Sequence, residues 1–275
     1  MSLPAYDNHL HLSPSGRNIE ALKEFKAAGG TGLTLVTLPY QEVMISDGSD
    51  FMRSFGITLS LAEKAKEMTD LKINVSVGPY PVLLIPLAER FGLEKAEKIM
   101  MEGMEHAASL VADGKANSLG EIGRPHFPVD GRIMEASNRI LLRGMELAHD
   151  IDCPVIIHCE SEGYTDGSLS DLAREAGLDP GKVVKHSSPP WVTPEETHGV
   201  MPSIPASRSL IREALSKSDR FMLETDFIDD PQKPNAIMAV TSVPKRINGL
   251  HQSGELSEEQ IHRICEDIPD SLYRR

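Results

Sequence analysis

The chain has 275 residues, 40% hydrophobic and 25% charged, with 21 glycines and 19 prolines spread along it, enough for one large globular domain or two ordinary ones. Acidic residues outnumber basic ones 41 to 28, a net charge of −13, which argues against broad electrostatic gripping of nucleic acid or anionic membrane and leaves only a local basic pocket for such a partner. Three cysteines (Cys153, Cys159, Cys265) are too few and too odd in number for a disulfide scaffold; with no membrane-spanning apolar run and no signal-peptide pattern, the expectation is a cytoplasmic protein with no membrane partner.

Short apolar runs alternate with longer stretches of helical period. The first run, Ala5–His11, precedes an amphipathic stretch from Asn18 to Ala28 that carries Ile19, Leu22 and Phe25 and stops at Gly29-Gly30. Runs follow at Gly32–Leu38 and Lys72–Gly78. A helix is expected over Leu93–Ala112, with Ile99, Met100, Met104, Ala107 and Val111 on one face and a stop at Asp113-Gly114. After the run Ser118–Ile122 comes a helical stretch over Ile133–His149. The remaining runs are Pro154–Cys159, Lys182–Ser187, Gly199–Ile204 and Arg220–Thr225, several rich in Val and Ile as buried strands are. The connection Pro189 to Thr197 is too short for a full helix. Beyond Asp226 the chain reads as helices over Ala236–Leu250 and Ser257–Tyr273. We take these as cover from about residue 235 on one domain spanning 1–275.

Strand–helix alternation implies right-handed crossovers and a parallel sheet, open or closed into a barrel. The polar residues choose between them. The first run ends Asp7-Asn8-His9-Leu10-His11, and alternate strand residues share a side, so two imidazoles can face one ion. With ten histidines in the chain, such a pair alone means little. Four more runs, however, place Glu121, His158, His186 and Glu224-Thr225-Asp226 at their carboxyl ends. Burying such groups without partners costs several kcal/mol, and a metal is the usual compensation. In an open eight-strand sheet the outer strands lie roughly 30 Å apart at ~4.8 Å per step, whereas a closed barrel gathers every strand end in one mouth. The expected fold is therefore α/β, a somewhat irregular (β/α)8 TIM-type barrel with extra C-terminal helices.

The order His-x-His on strand one, Glu on four, His on five, His on six and Asp on eight resembles the amidohydrolase superfamily. The wording Asp7-x-His9-x-His11, Gly120-Glu121-Ile122-Gly123, Pro154-Val155-Ile156-Ile157-His158 and Glu224-Thr225-Asp226 is similar to its TatD-like metal-dependent hydrolases and DNases. That resemblance implies two divalent ions, Zn2+ foremost with Mn2+ or Mg2+ as alternatives. One would be held by His9, His11, Glu121 and Asp226, the other by Glu121, His158 and His186. Outside the ligands the chain departs from the pattern. His186 is followed by Ser187-Ser188-Pro189-Pro190-Trp191, Glu160 stands where an Arg is usual, Val77-Gly78-Pro79-Tyr80 lacks the His of Gly-x-His-Pro, and Gly123-Arg124-Pro125-His126-Phe127 follows Glu121. The chain reads as a divergent member.

The expected activity is metal-dependent hydrolysis by a metal-bridging hydroxide acting on a phosphoester, the substrate being a small molecule or a nucleic-acid end. Glu121 and Asp226 would be catalytic, Asp226 orienting the nucleophile and taking its proton. Arg124, His126 and Trp191 are the candidate substrate contacts, set against plainer readings as a solvated loop arginine and a tryptophan packed under its loop. Lys185, next to a ligand, should point from the mouth into the helix layer. The alternatives are a hydrolase of a small amide, lactone or phosphotriester on the same site, and a non-catalytic metal-binding protein. The Cys-free ligand set at a barrel mouth speaks against the last.

Overall fold

A computed structural model describes residues 3–160, 166–232 and 237–274. Its strands are β1 (Tyr6–His11), β2 (Gly32–Val36), β3 (Lys72–Val77), β4 (Ser118–Gly123), β5 (Val155–His158), β6 (Val183–Lys185), β7 (Met201–Pro205), β8 (Met222–Glu224) and β9 (Phe227–Ile228). All paired strands are parallel, in the order β8-β7-β6-β5-β4-β3-β2-β1-β9. Only Thr225 and Asp226 separate β8 from β9. Because β8 pairs with β7 and β9 with β1, the sheet returns on itself as an irregular (β/α)8 barrel.

The helices are α1 (Ile19–Ala27), α2 (Phe51–Met68), α3 (Leu84–Phe91), α4 (Leu93–Ala112), α5 (Gly131–Asp150), α6 (Ser168–Glu175), α7 (Pro194–Thr197), α8 (Arg208–Leu215), α9 (Ser242–Gln252), α10 (Glu258–His262) and α11 (Ile268–Tyr273). The sequence patterns left α2 unassigned, although Phe51, Phe55, Thr58, Ala62 and Ala65 recur at helical spacing and are buried. The single turn α7 is the short connection anticipated after β6. Residue 236 lies outside the described residues, and α9 starts at Ser242, later than expected. Its Pro244 explains the start: proline fits a first helical turn but breaks an interior. The expected helix over Ser257–Tyr273 is capped by Ser257, which accepts from the Gln260 amide at 3.2 Å. It carries a π-helical segment, Arg263–Asp267, just before Pro269, where a regular ladder would miss an N–H and clash.

Two apolar clusters flank the strands. Val155, Ile157 and Val183 pack with α1 to α6, while Ile156 and Val184 pack with Tyr6, Val36 and residues of α8 to α11. β1 is irregular: its register with β2 shifts between Asp7 and Leu10. No ladder pair joins β1 to β8. Asp7, fully buried, closes that seam by accepting from Thr225 N at 3.0 Å and from the Thr225 hydroxyl at 2.7 Å, while Asp226 N donates to His9 O at 2.9 Å.

Burial pushes the Asp7 carboxyl up to about 7 against the opposing pull of the Thr225 hydrogen bonds. Native Asp7 therefore keeps a proton that the unfolded chain loses near pH 4, so its contribution to stability falls as pH rises from about 4 to about 7 and is constant above. Thr225→Val removes one donor from this carboxylate. We expect a loss of about 1.5–3 kcal/mol in urea unfolding of the metal-free protein, larger at pH 8 than at pH 5 because the ionised acceptor is the stronger one. Thr225→Ser should recover most of it.

Candidate metal centre

Each polar residue reaches the barrel mouth through a local irregularity. The register shift in β1 lets consecutive residues Asn8 and His9 both feed the interior network, with His11 beside His9. A second shift, between Leu119 and Ile122 of β4, accompanies the entry of Glu121. Asp226 stands in the break between β8 and β9 with a left-handed backbone, φ 49°. His158 ends β5, and His186 follows β6, its amide donating to Ile157 O at 3.2 Å.

The six groups converge. His9 Nε2 lies 3.1 Å from His11 Nε2, 3.8 Å from Glu121 Oε1 and 4.0 Å from Asp226 Oδ1; His11 Nε2 is 3.5 Å from the same Asp226 oxygen. Glu121 Oε1 is also 2.9 Å from His158 Nδ1 and 3.3 Å from His186 Nε2. Two triads of donors close enough to share an ion result, His9/His11/Glu121 and Glu121/His158/His186, with Glu121 in both. A third, His9/His186/Glu224, is buried and shares His9 and His186 with them.

Burial and mutual repulsion set the charges. Burial, reinforced by His186, holds His9 well below the usual imidazole value. Burial alone would lower His186, but Glu224 and Glu121 outweigh it and carry it up to about 9. Burial would raise Glu121, yet His186, His158 and His9 hold it well below the carboxylate range. The donor chemistry fits a divalent ion: imidazole nitrogens and carboxylate oxygens, the donor types such ions take, face one another around a common centre.

A cavity of about 440 Å³ opens above these groups, lined among others by His11, Tyr80, Glu121, His126, His158, Lys185, His186 and Asp226, with Leu38, Pro39, Ile228 and Ile237 as its apolar wall. His126 reaches it, its Nδ1 lying 2.8 Å from His158 Nε2. Arg124 and Trp191 are not part of the lining. Arg124 is buried against Glu160 at 2.6 Å, so two separate departures from the family wording form one contact. Trp191 is half-buried against the larger apolar cluster. Lys185 departs from expectation. Its place on the strand is outward, in step with Val183, but its ammonium folds back onto the His186 carbonyl and the residue lines the cavity.

A profile of the TatD-related DNase family matches residues 6–274. The chain belongs to this family. It is 35% identical to the Methanocaldococcus jannaschii protein MJ1127, described as uncharacterized, over 99% of this chain and 96% of that one. Among solved structures, the TatD homologue YjjV from Escherichia coli K12 superposes with a TM-score of 0.69 at 19% identity, covering 100% of both chains. The phosphotriesterase from Mycobacterium tuberculosis gives 0.65 at 15% identity, covering 100% of this chain and 94% of that one. These likenesses show the shared barrel. Among the described residues, no helix is long and apolar enough to cross a membrane.

This TatD-family site has supports that the motifs did not mark. Glu224 Oε1 accepts from Ser187 N at 2.7 Å and lies 3.0 Å from His186 Nδ1, while its Oε2 accepts from the Ser203 hydroxyl at 2.5 Å. Ser203 in turn accepts from Asn8 Nδ2 at 3.0 Å, and Asn8 Oδ1 accepts from the Tyr273 hydroxyl at 2.7 Å. The local signal for Glu224 was its position inside an apolar strand two residues before Asp226. Nothing local pointed to Ser203, Asn8 or Tyr273, which meet only in the closed barrel.

Without metal, His186 contributes stability that is complete below about pH 6.5 and lost as pH rises through about 9. An ion bound near pH 7.5 must displace that proton. Zinc titration by calorimetry in buffers of different ionisation enthalpy should therefore report net proton release, and Glu224→Gln should release less while binding zinc about 10–100-fold more weakly.

Proposed function

We propose that the chain is a divalent-metal-dependent hydrolase of phosphoester bonds, with one ion held by His9, His11, Glu121 and Asp226 and a second by Glu121, His158 and His186. The observation that carries this reading is the pair of donor triads sharing Glu121 at the mouth of a TatD-family barrel. Divalent ions there, zinc by the mixed nitrogen and oxygen donors, would supply Lewis acidity, a water acidified from 15.7 to about 7, and a positive pocket in an acidic protein.

The chain's own residues do the rest. Glu121, facing three imidazoles, ties the two halves of the site together. Asp226, with a side chain 19% exposed beside His11, holds the attacking water and takes its proton. Glu224 fixes the ring of His186 through Nδ1 and leaves Nε2 for the site. His126, at the cavity wall against His158, is placed to protonate the departing group. Burial and the neighbouring His158 lower its basicity. The cavity adjoins a second one of about 410 Å³ that shares Leu38, Pro39 and Ile228, room for the remainder of a substrate longer than its reacting group. The apolar wall favours a second reading, a phosphotriester or lactone with an apolar substituent.

Asp226→Asn should retain zinc or manganese, measured by elemental analysis, and lose at least 100-fold in kcat on bis(4-nitrophenyl) phosphate; unchanged turnover would remove Asp226 from this role. Metal-reconstituted protein assayed against that diester, single-stranded oligonucleotides, lactones and amides should favour the phosphoesters, and chelation should abolish the activity. Faster lactone hydrolysis, with phosphoesters untouched, would replace this reading with the second.

A further inference from the structure

Among the described residues, Lys185 is a buried cation with no carboxylate within ion-pair distance. It is 1% exposed, ends β6, and donates to the carbonyl oxygen of its neighbour His186. An ammonium has three donors, and that carbonyl takes one of them. Among the described residues no carboxylate pairs with it. The acids around the mouth face other groups: Glu121 faces His158 and His186, Asp226 faces His11, Glu224 faces His186, Ser187 and Ser203, and one oxygen of Glu160 meets Arg124. Burying a charge that is bonded only to a neutral carbonyl costs several kcal/mol, so the arrangement is balanced only when an anion enters.

The cavity is where such an anion can sit. Lys185 lines it together with Glu121, His126, His158, His186 and Asp226, on the β5–β6 side of the mouth. A lysine kept only to snorkel would send its stem along α6 and its head to water. This one is bent back over the strand end instead, against the outward parity that it shares with Val183. The compact ammonium also suits a phosphoryl oxygen as a point charge, without the fixed fork of a guanidinium. Arg124, the other buried cation nearby, already has Glu160 as its partner.

The geometry points to Lys185 as the anchor for an anionic oxygen of the substrate, a phosphate monoester or diester, and for the phosphate group of the product. This assignment rests on the phosphoester reading above and narrows it: the substrate carries a negative charge beyond the atoms that the metal ligands serve, and Lys185 selects for it.

The test uses the full chain reconstituted with zinc, with inorganic phosphate as the probe and calorimetry and competitive inhibition as readouts. Phosphate should bind the wild-type protein, Lys185→Met should weaken binding at least 10-fold, and Lys185→Arg should stay within about 3-fold, all three at equal zinc content. For any phosphoester that is turned over, Lys185→Met should raise KM more than it lowers kcat. Equal phosphate affinity in wild type and Lys185→Met at equal zinc content overturns the assignment. A loss of phosphate binding in both variants together with lost zinc would also overturn it, making Lys185 a support of the strand end. If no phosphoester is hydrolysed while phosphate still binds through Lys185, the proposed function falls and the anchor stands.

Discussion

The Asp7–Thr225 contact is what makes one site out of distant pieces of chain. β1 and β8 share no ladder, so the barrel closes through a buried carboxylate that accepts both the amide and the hydroxyl of Thr225, and through the Asp226 amide on His9 O. This closure is what brings Asp226 Oδ1 within 4.0 Å of His9 and 3.5 Å of His11. A buried acid is a costly way to close a sheet, since desolvation lifts Asp7 to about 7. The cost falls beside the mouth, where cations held by the site would lower it.

Charge is arranged here against the average of the molecule. The chain carries −13, yet the mouth gathers His9, His11, His158, His186 and Lys185 around Glu121 and Asp226. Field in such a recess depends on the nearest few groups more than on distant surface charge, which screening limits to about 10 Å.

The strands, the barrel and the convergence of the six polar groups were legible because they depend on local pattern: apolar runs bounded by Gly and Pro, and a His or acid at each carboxyl end. What was not legible lies where pattern and geometry part. The register shifts at Asp7–Leu10 and Leu119–Ile122 and the break at Thr225–Asp226 leave no sequence mark, yet they accompany His9, Glu121 and Asp226 into the site. Parity placed Lys185 outside, because alternation describes where a side chain starts and not where four methylenes and an ammonium end. Arg124 read as a substrate contact or a solvated loop cation, since its partner Glu160 lies 36 positions on and was visible only as a separate oddity. The helix α2 escaped because Gly56, Thr58 and Ser60 dilute its propensity, while its burial comes from tertiary packing.

The hydrogen-bonded path from Tyr273 through Asn8, Ser203 and Glu224 to His186 has a temporal meaning. It joins residue 8 to residue 273, so the imidazole that follows β6 gains its full support only after those distant segments have met in the folded barrel. A divalent ion, where one binds, would meet a ring already turned toward it by protein groups alone.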